Sequence, residues 1–164
     1  MAQAPIRLEG MEKVLRNLNR EISKIEGRTL KGLIRSAILI RRDMEATPPL
    51  IPVDTGNLRA SFYTITTKPV EGQVKSTSFK KDKGGKLAQG HAEALQKAQG
   101  ELANFGKNPA VAIGFSAYYA FKVHEDMMAH FKHPGSGPKF LEAAIERNSK
   151  NILDLIREEA RIRG

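Results

Sequence analysis

The stretch Pro52-Val53-Asp54-Thr55-Gly56-Asn57-Leu58-Arg59 contains Asp-Thr-Gly, the triplet with which an aspartic protease presents its carboxylate. That chemistry needs two such carboxylates facing each other, so that one proton is shared between them. The chain has no second Asp-Thr-Gly or Asp-Ser-Gly, so only a homodimer would complete the pair. The triplet also follows Pro48-Pro49 rather than an apolar strand. A structural reading asks less of the same residues. Asp54 would accept hydrogen bonds from following backbone N–H groups in a turn, and Gly56 would supply a φ that other residues resist.

The other reactive types do not assemble into a site. His124-Glu125, His130 and His133 have the composition of a metal site, but the two-histidine helical pattern needs a spacing of four, and position 128 is Met128. "GKNPAVAIG" and "GGKLAQG" lack the Gly-Lys-Ser/Thr of a phosphate-binding loop. Ser61, Ser76 and Ser78 have no base at an interpretable spacing. The reading is of a non-enzyme, with no metal and no cofactor. The densest charge is basic: Lys75, Lys80, Lys81, Lys83 and Lys86 surround a glycine-rich loop tip. Such a cluster is either a solvated face or a sequence-independent, salt-sensitive attraction for phosphates. No recognition helix with base-reading side chains accompanies it.

The elements that would position these residues follow from periodicity. Apolar residues recur at three- and four-residue steps over 9–46, which predicts helix, with Gly27 a candidate kink and Pro48-Pro49 its end. "LRASFYTITT" predicts a strand, and "QVKSTSF" a return strand beyond the turn at Pro69 and Gly72. Residues 80–90 predict a loop, and "HAEALQKAQGELANF" a short helix with a thin apolar face. The segment of about 78–108 therefore reads as an insertion hanging off the core. "PAVAIGF" predicts a strand buried on both faces, "SAYYAFKVHE" is ambiguous, and "DMMAHFKHPGSGP" predicts loop. Residues 138–163 predict a helix with Pro138 at its start and Leu141, Ala144, Ile145, Ile152, Leu155 and Ile156 on one face. The sum over 1–164 is a single α+β domain: a small antiparallel sheet packed against long N-terminal and C-terminal helices.

At 40% hydrophobic and 27% charged residues the chain is globular rather than disordered. It has no cysteine, which excludes disulfides and thiolate metal sites. The first residues have no apolar stretch of the kind a secretory signal carries, and no run approaches a membrane span. The formal net charge of +9 attracts polyanions, but the absence of tryptophan and the presence of only 3 tyrosines argue against a base-stacking platform.

Three stretches recur here in one order: Pro52 to Arg59 after a long helix, Tyr119-Ala120 to Val123-His124-Glu125, and a glycine loop leading into Pro138 to Ala143. The arrangement resembles the tail-completion or head–tail joining (neck) protein family of tailed bacteriophages and prophages. Its members show Pro-x-Asp-Thr-Gly-x-Leu-Arg, a Tyr-Ala-x-x-Val-Glu-like segment, and Pro-Phe-Leu-x-x-Ala at a helix start. Here Lys139 separates Pro138 from Phe140, and His124 precedes Glu125. The resemblance implies a structural virion protein, made in the host cytoplasm, that forms a ring, sixfold or a multiple, around the DNA channel. A connector or head-closure protein would lie on one side and a tail-terminator or tail-tube protein on the other. It makes Asp54, Thr55, Gly56, Leu58, Arg59, Tyr119, His124, Glu125, Pro138 and Phe140 corner or inter-subunit positions. The lysines at 75–86 would face passing double-stranded DNA or an acidic neighbour, with no membrane involved. A tail-terminator role is the near alternative. A stand-alone basic nucleic-acid-binding protein is the alternative of another class, and a hydrolase using Asp54 is a further one.

Overall fold

The computed structural model describes residues 11–69 and 77–161. Helix α1, Met11–Ala46, is one continuous element of 36 residues. Gly27 does not interrupt it, because a single glycine costs a helix only about 1 kcal/mol. Leu30, Ala37, Ile40 and Met44 are buried at steps of three, four and seven, which sets the face that packs inward. That face meets α5, Phe140–Ala160, in an antiparallel hairpin. At one end Arg147 grips Asp43 and also donates to the Pro48 carbonyl at 3.0 Å, tying the loop after α1 to α5. At the other end Arg35 pairs with Glu159, and the Arg28 guanidinium donates to the Arg161 carbonyl at 3.0 Å.

The helix pair approaches closely at Gly32. A Cβ there would stand 2.9 Å from the Ile156 Cα and 3.3 Å from the Leu155 carbonyl. The contact therefore requires the missing side chain.

The predicted strand at 58–67 divides in two. Asn57–Ala60 is a short helix, α2, because Gly56 at φ +87° turns the chain and the amides of Ala60 and Ser61 bond back to Gly56 and Asn57. Only Phe62–Thr66 forms strand β1. Its partner is β2, Val111–Phe115, antiparallel with Phe62 opposite Phe115 and Tyr63 opposite Gly114. Of the predicted return strand, residues 73–76 lie outside the described residues, and 77–79 are not strand. Strand β2 is half-buried along its length rather than fully buried.

The segment expected to hang off the core belongs to it. Helix α3, Lys86–Ala103, runs for 18 residues and buries Leu87, His91, Ala98 and Leu102. Asp82 makes this possible by accepting from the free amides of Leu87 and Ala88, both at 3.0 Å. Leu87 joins Ile40, Met44, Ile51, Leu58, Ala117, Phe140 and Ala144 in the central cluster. The ambiguous segment resolves into a short helix, α4, Ala120–Glu125. In α5, Ala144 is buried and Ile145 is exposed, so the buried row runs Phe140, Ala144, Asn148. Pro138 stands just before the helix, and Lys139 opens it in the left-handed conformation at φ +57°.

Candidate functional site

The Asp54 corner, the lysine loop and the 130–133 loop enclose one groove of about 500 Å³. The sequence brings them together through Asn57. Its buried amide donates to the Lys80 carbonyl and accepts from the Lys80 N–H, both at 2.8 Å. The side chain thus acts as one rung of a backbone ladder and pins the start of the lysine loop beside the corner. At the corner itself the Asn57 N–H donates to Thr55 Oγ1 at 3.4 Å, rather than to the Asp54 carboxylate expected from the turn composition. Asp54 is exposed on the groove wall.

The groove is apolar at its base and basic at its rim. Leu58 and Leu87, both buried, line it with Val123 and Phe131. Tyr118 and Tyr119 form one wall, stacked edge-on with ring centres 5.2 Å apart. Lys80, Lys81 and Lys132 are exposed around the opening, with His130 and His133. Lys86 adds to this charge from outside the lining, its ammonium 4.2 Å from the centre of the Tyr118 ring. Among the described residues none of these four lysines has an ion-pair partner. The loop's own acid, Asp82, is committed to capping α3. Burial pushes the Tyr119 hydroxyl above its usual range, and Tyr118 and Asp54 beside it push in the same direction.

The other candidate residues occupy an adjoining layer. His124 Nδ1 lies 2.6 Å from Glu125 Oε1, and Lys139 Nζ lies 2.6 Å from Glu125 Oε2 and 3.0 Å from Glu142. The hydrogen bond from Lys139, and then that to His124, holds the Glu125 carboxyl below the usual range. The Lys139 amide donates to the His124 carbonyl at 2.8 Å, which helps to hold the residue in its left-handed conformation. His124 stands edge-on to Phe140, which is wholly buried. Arg59 has a buried Nε without a partner among the described residues. Lys83 is exposed in a single 3-10 turn, and Lys75 lies outside the described residues.

Among the described residues no three of His, Asp and Glu form a metal-holding set. His130 and His133 turn to the groove rim while His124 turns to Phe140. Sequence reasoning passed over Asn57, Tyr118 and Lys132. Asn57 had one signal, its place directly after a turn glycine, where a side-chain amide can pair with backbone. It also passed over His91, whose Nδ1 lies 2.6 Å from Ser116 Oγ, itself 3.2 Å from the Ser61 carbonyl. That chain of bonds ties α3 to the residue after β2 and to the end of α2.

Comparison with protein-family models, with curated proteins and with solved structures gives no match in any of the three.

Proposed function

We propose that the protein is a structural subunit of a tailed-phage particle that closes into a ring at the head–tail joint and surrounds the DNA channel. The observation that carries this reading is the exposed apolar stripe at the N-terminal end of α1. Helix α5 stops beside Arg28, so α1 runs on past it for roughly 25 Å at the rise of an α-helix. On that extension Leu15, Leu18 and Ile22 form an apolar stripe, and each is 44–53% exposed. An amphipathic helix in this state is shaped to lie on another polypeptide. At the opposite end of the hairpin, Tyr118, Phe121, Met127 and Met128 are 67–85% exposed within one short stretch of chain. Two different apolar surfaces at opposite ends of one subunit suit a head-to-tail contact, and such contacts close into rings when the rotation permits.

Two further features support the reading. The three motifs that carry the resemblance adjoin: Pro52 to Leu58 line one groove with Tyr119 and Val123, and the Lys139 amide bonds to the His124 carbonyl. The exposed lysines at 80–86 lie on that same side and give a repeated subunit a basic surface. Among the described residues no helix is long and apolar enough to cross a membrane.

The test is mass by light scattering on the purified protein, alone and then mixed with assembled heads or tails. A closed oligomer, or stable addition to one of those particles, is the expected result. A persistent monomer that ignores both particles and binds DNA in a salt-sensitive manner overturns the reading in favour of a stand-alone nucleic-acid-binding protein.

A further inference from the structure

We infer that the groove at the Asp54 corner is a docking site for an extended segment of a different polypeptide, one carrying acidic and large apolar side chains. This stands on the groove's own chemistry and does not depend on ring formation. The rim supplies Lys80, Lys81 and Lys132, all exposed and without ion-pair partners among the described residues, and these call for carboxylates. The base supplies Leu58, Leu87, Val123 and Phe131, which call for an apolar group pushed between the charges.

The mixture selects among polyanions. A DNA duplex presents phosphates on a convex rod and has no apolar group to fill a concavity of about 500 Å³. A single strand has bases for the apolar part. However, one wall of the groove is the Asp54 carboxylate, which repels a phosphate backbone and accepts from an N–H. A polypeptide carries an N–H at nearly every residue, with carboxylates and apolar side chains between. The α1 extension of another copy is a poorer match, because it is helical rather than extended and its charges are mixed, Arg16, Arg20 and Lys24 with Glu21 and Glu26. The site is also preformed. The Asn57–Lys80 pair and the Asp82 cap hold its two walls from below, so binding does not have to order them.

The experiment is an NMR titration of the isotope-labelled full chain with four probes. They are the hexapeptide Asp-Phe-Glu-Leu-Asp-Leu, its counterpart with lysine at each acidic position, a short oligothymidylate and a short DNA duplex. The acidic peptide is expected to shift the amide resonances of Gly56, Lys81, Tyr119 and Lys132 saturably, and the basic peptide is not. The double variant K80E/K132E is expected to weaken the acidic peptide by about tenfold and to admit the basic one. Both side chains are exposed, and Lys80 meets Asn57 through its main chain, so the reversal leaves the supporting bonds in place. Should that variant lose its native spectrum, the neutral pair K81A/K132A carries the same comparison. The proposal fails if the acidic peptide gives no saturable shift in the groove, or if its binding is indifferent to these variants. It also fails if either nucleic acid shifts the same resonances at lower concentration.

Discussion

Asn57 and His91 show how much of this molecule rests on single polar side chains. Asn57 is buried and spends both ends of its amide on the main chain of Lys80. Replacing it with alanine leaves a backbone donor and acceptor without their partners. Asn57→Ala should therefore cost about 1–3 kcal/mol, read as a lower urea midpoint at unchanged slope. His91 is also buried, and burial pushes its imidazole below the ordinary range. The folded state thus favours neutral histidine, while the unfolded chain protonates near pH ~6.5. The sign follows from linkage: this contribution is fully present above about pH 6.5 and is lost as pH falls below it. Urea midpoints measured on either side of that pH should fall with acidity in the parent protein. The fall should be smaller in His91→Asn. An equal fall in both would show that another group carries the titration.

The helices hold one another through a contact that a side chain would spoil. Gly32 and Gly27 share a helix and a residue type but have opposite surroundings. A Cβ at Gly32 meets Ile156 backbone at 2.9 Å, whereas one at Gly27 meets nothing within 4 Å. Gly27→Ala should stabilise by about 0.5–1 kcal/mol, since alanine loses less backbone freedom in a helix. Gly32→Ala has the same propensity gain but forces α1 and α5 apart, and overpacking of this kind costs about 1–3 kcal/mol. Thermal unfolding of the two variants should shift in opposite directions. The helical periodicity of α1 and α5 was legible in the sequence because their apolar steps repeat over many turns. The division of "LRASFYTITT" was not. Its β-branched and aromatic residues favour strand throughout, and the helical turn at Asn57–Ala60 is imposed by the Gly56 corner and its backbone bonds. The length of α3 was missed for a related reason. Its thin apolar face is sufficient because Asp82 caps it and Leu87 enters the common core.

Exposed apolar and basic patches lie on separate surfaces of the molecule, and the proposed association can be tested at each. Leu18 is 53% exposed on the α1 extension. Leu18→Glu should leave unfolding stability within about 0.5 kcal/mol of the parent and, on the proposed reading, abolish the oligomer expected in light scattering. Reversal of Lys80, Lys81 and Lys83 to glutamate tests a different surface, the one that the proposed joint would turn to an acidic neighbour or to DNA. It should impair particle assembly or DNA retention, read as a loss of infectious particles; unchanged infectivity would remove these lysines from the joint. The two variants separate contact between copies from contact with other components.

Composition and periodicity alone determined the α+β class and the two long helices, whereas the loop expected over 80–90 gives way to helix α3 at Lys86. The class and the long helices depend on residue type and local spacing, which a sequence states directly. Only the tertiary structure decided that β1 pairs with β2, about fifty residues away, and that the segment around α3 is core. It likewise decided that the Asp54 corner and the lysine loop share one groove. Each of these depends on residues far apart in the chain finding complementary partners: Phe62 with Phe115, Leu87 with the central cluster, and Asn57 with Lys80. Such pairings follow from shape and hydrogen-bond closure in three dimensions, which no local pattern encodes.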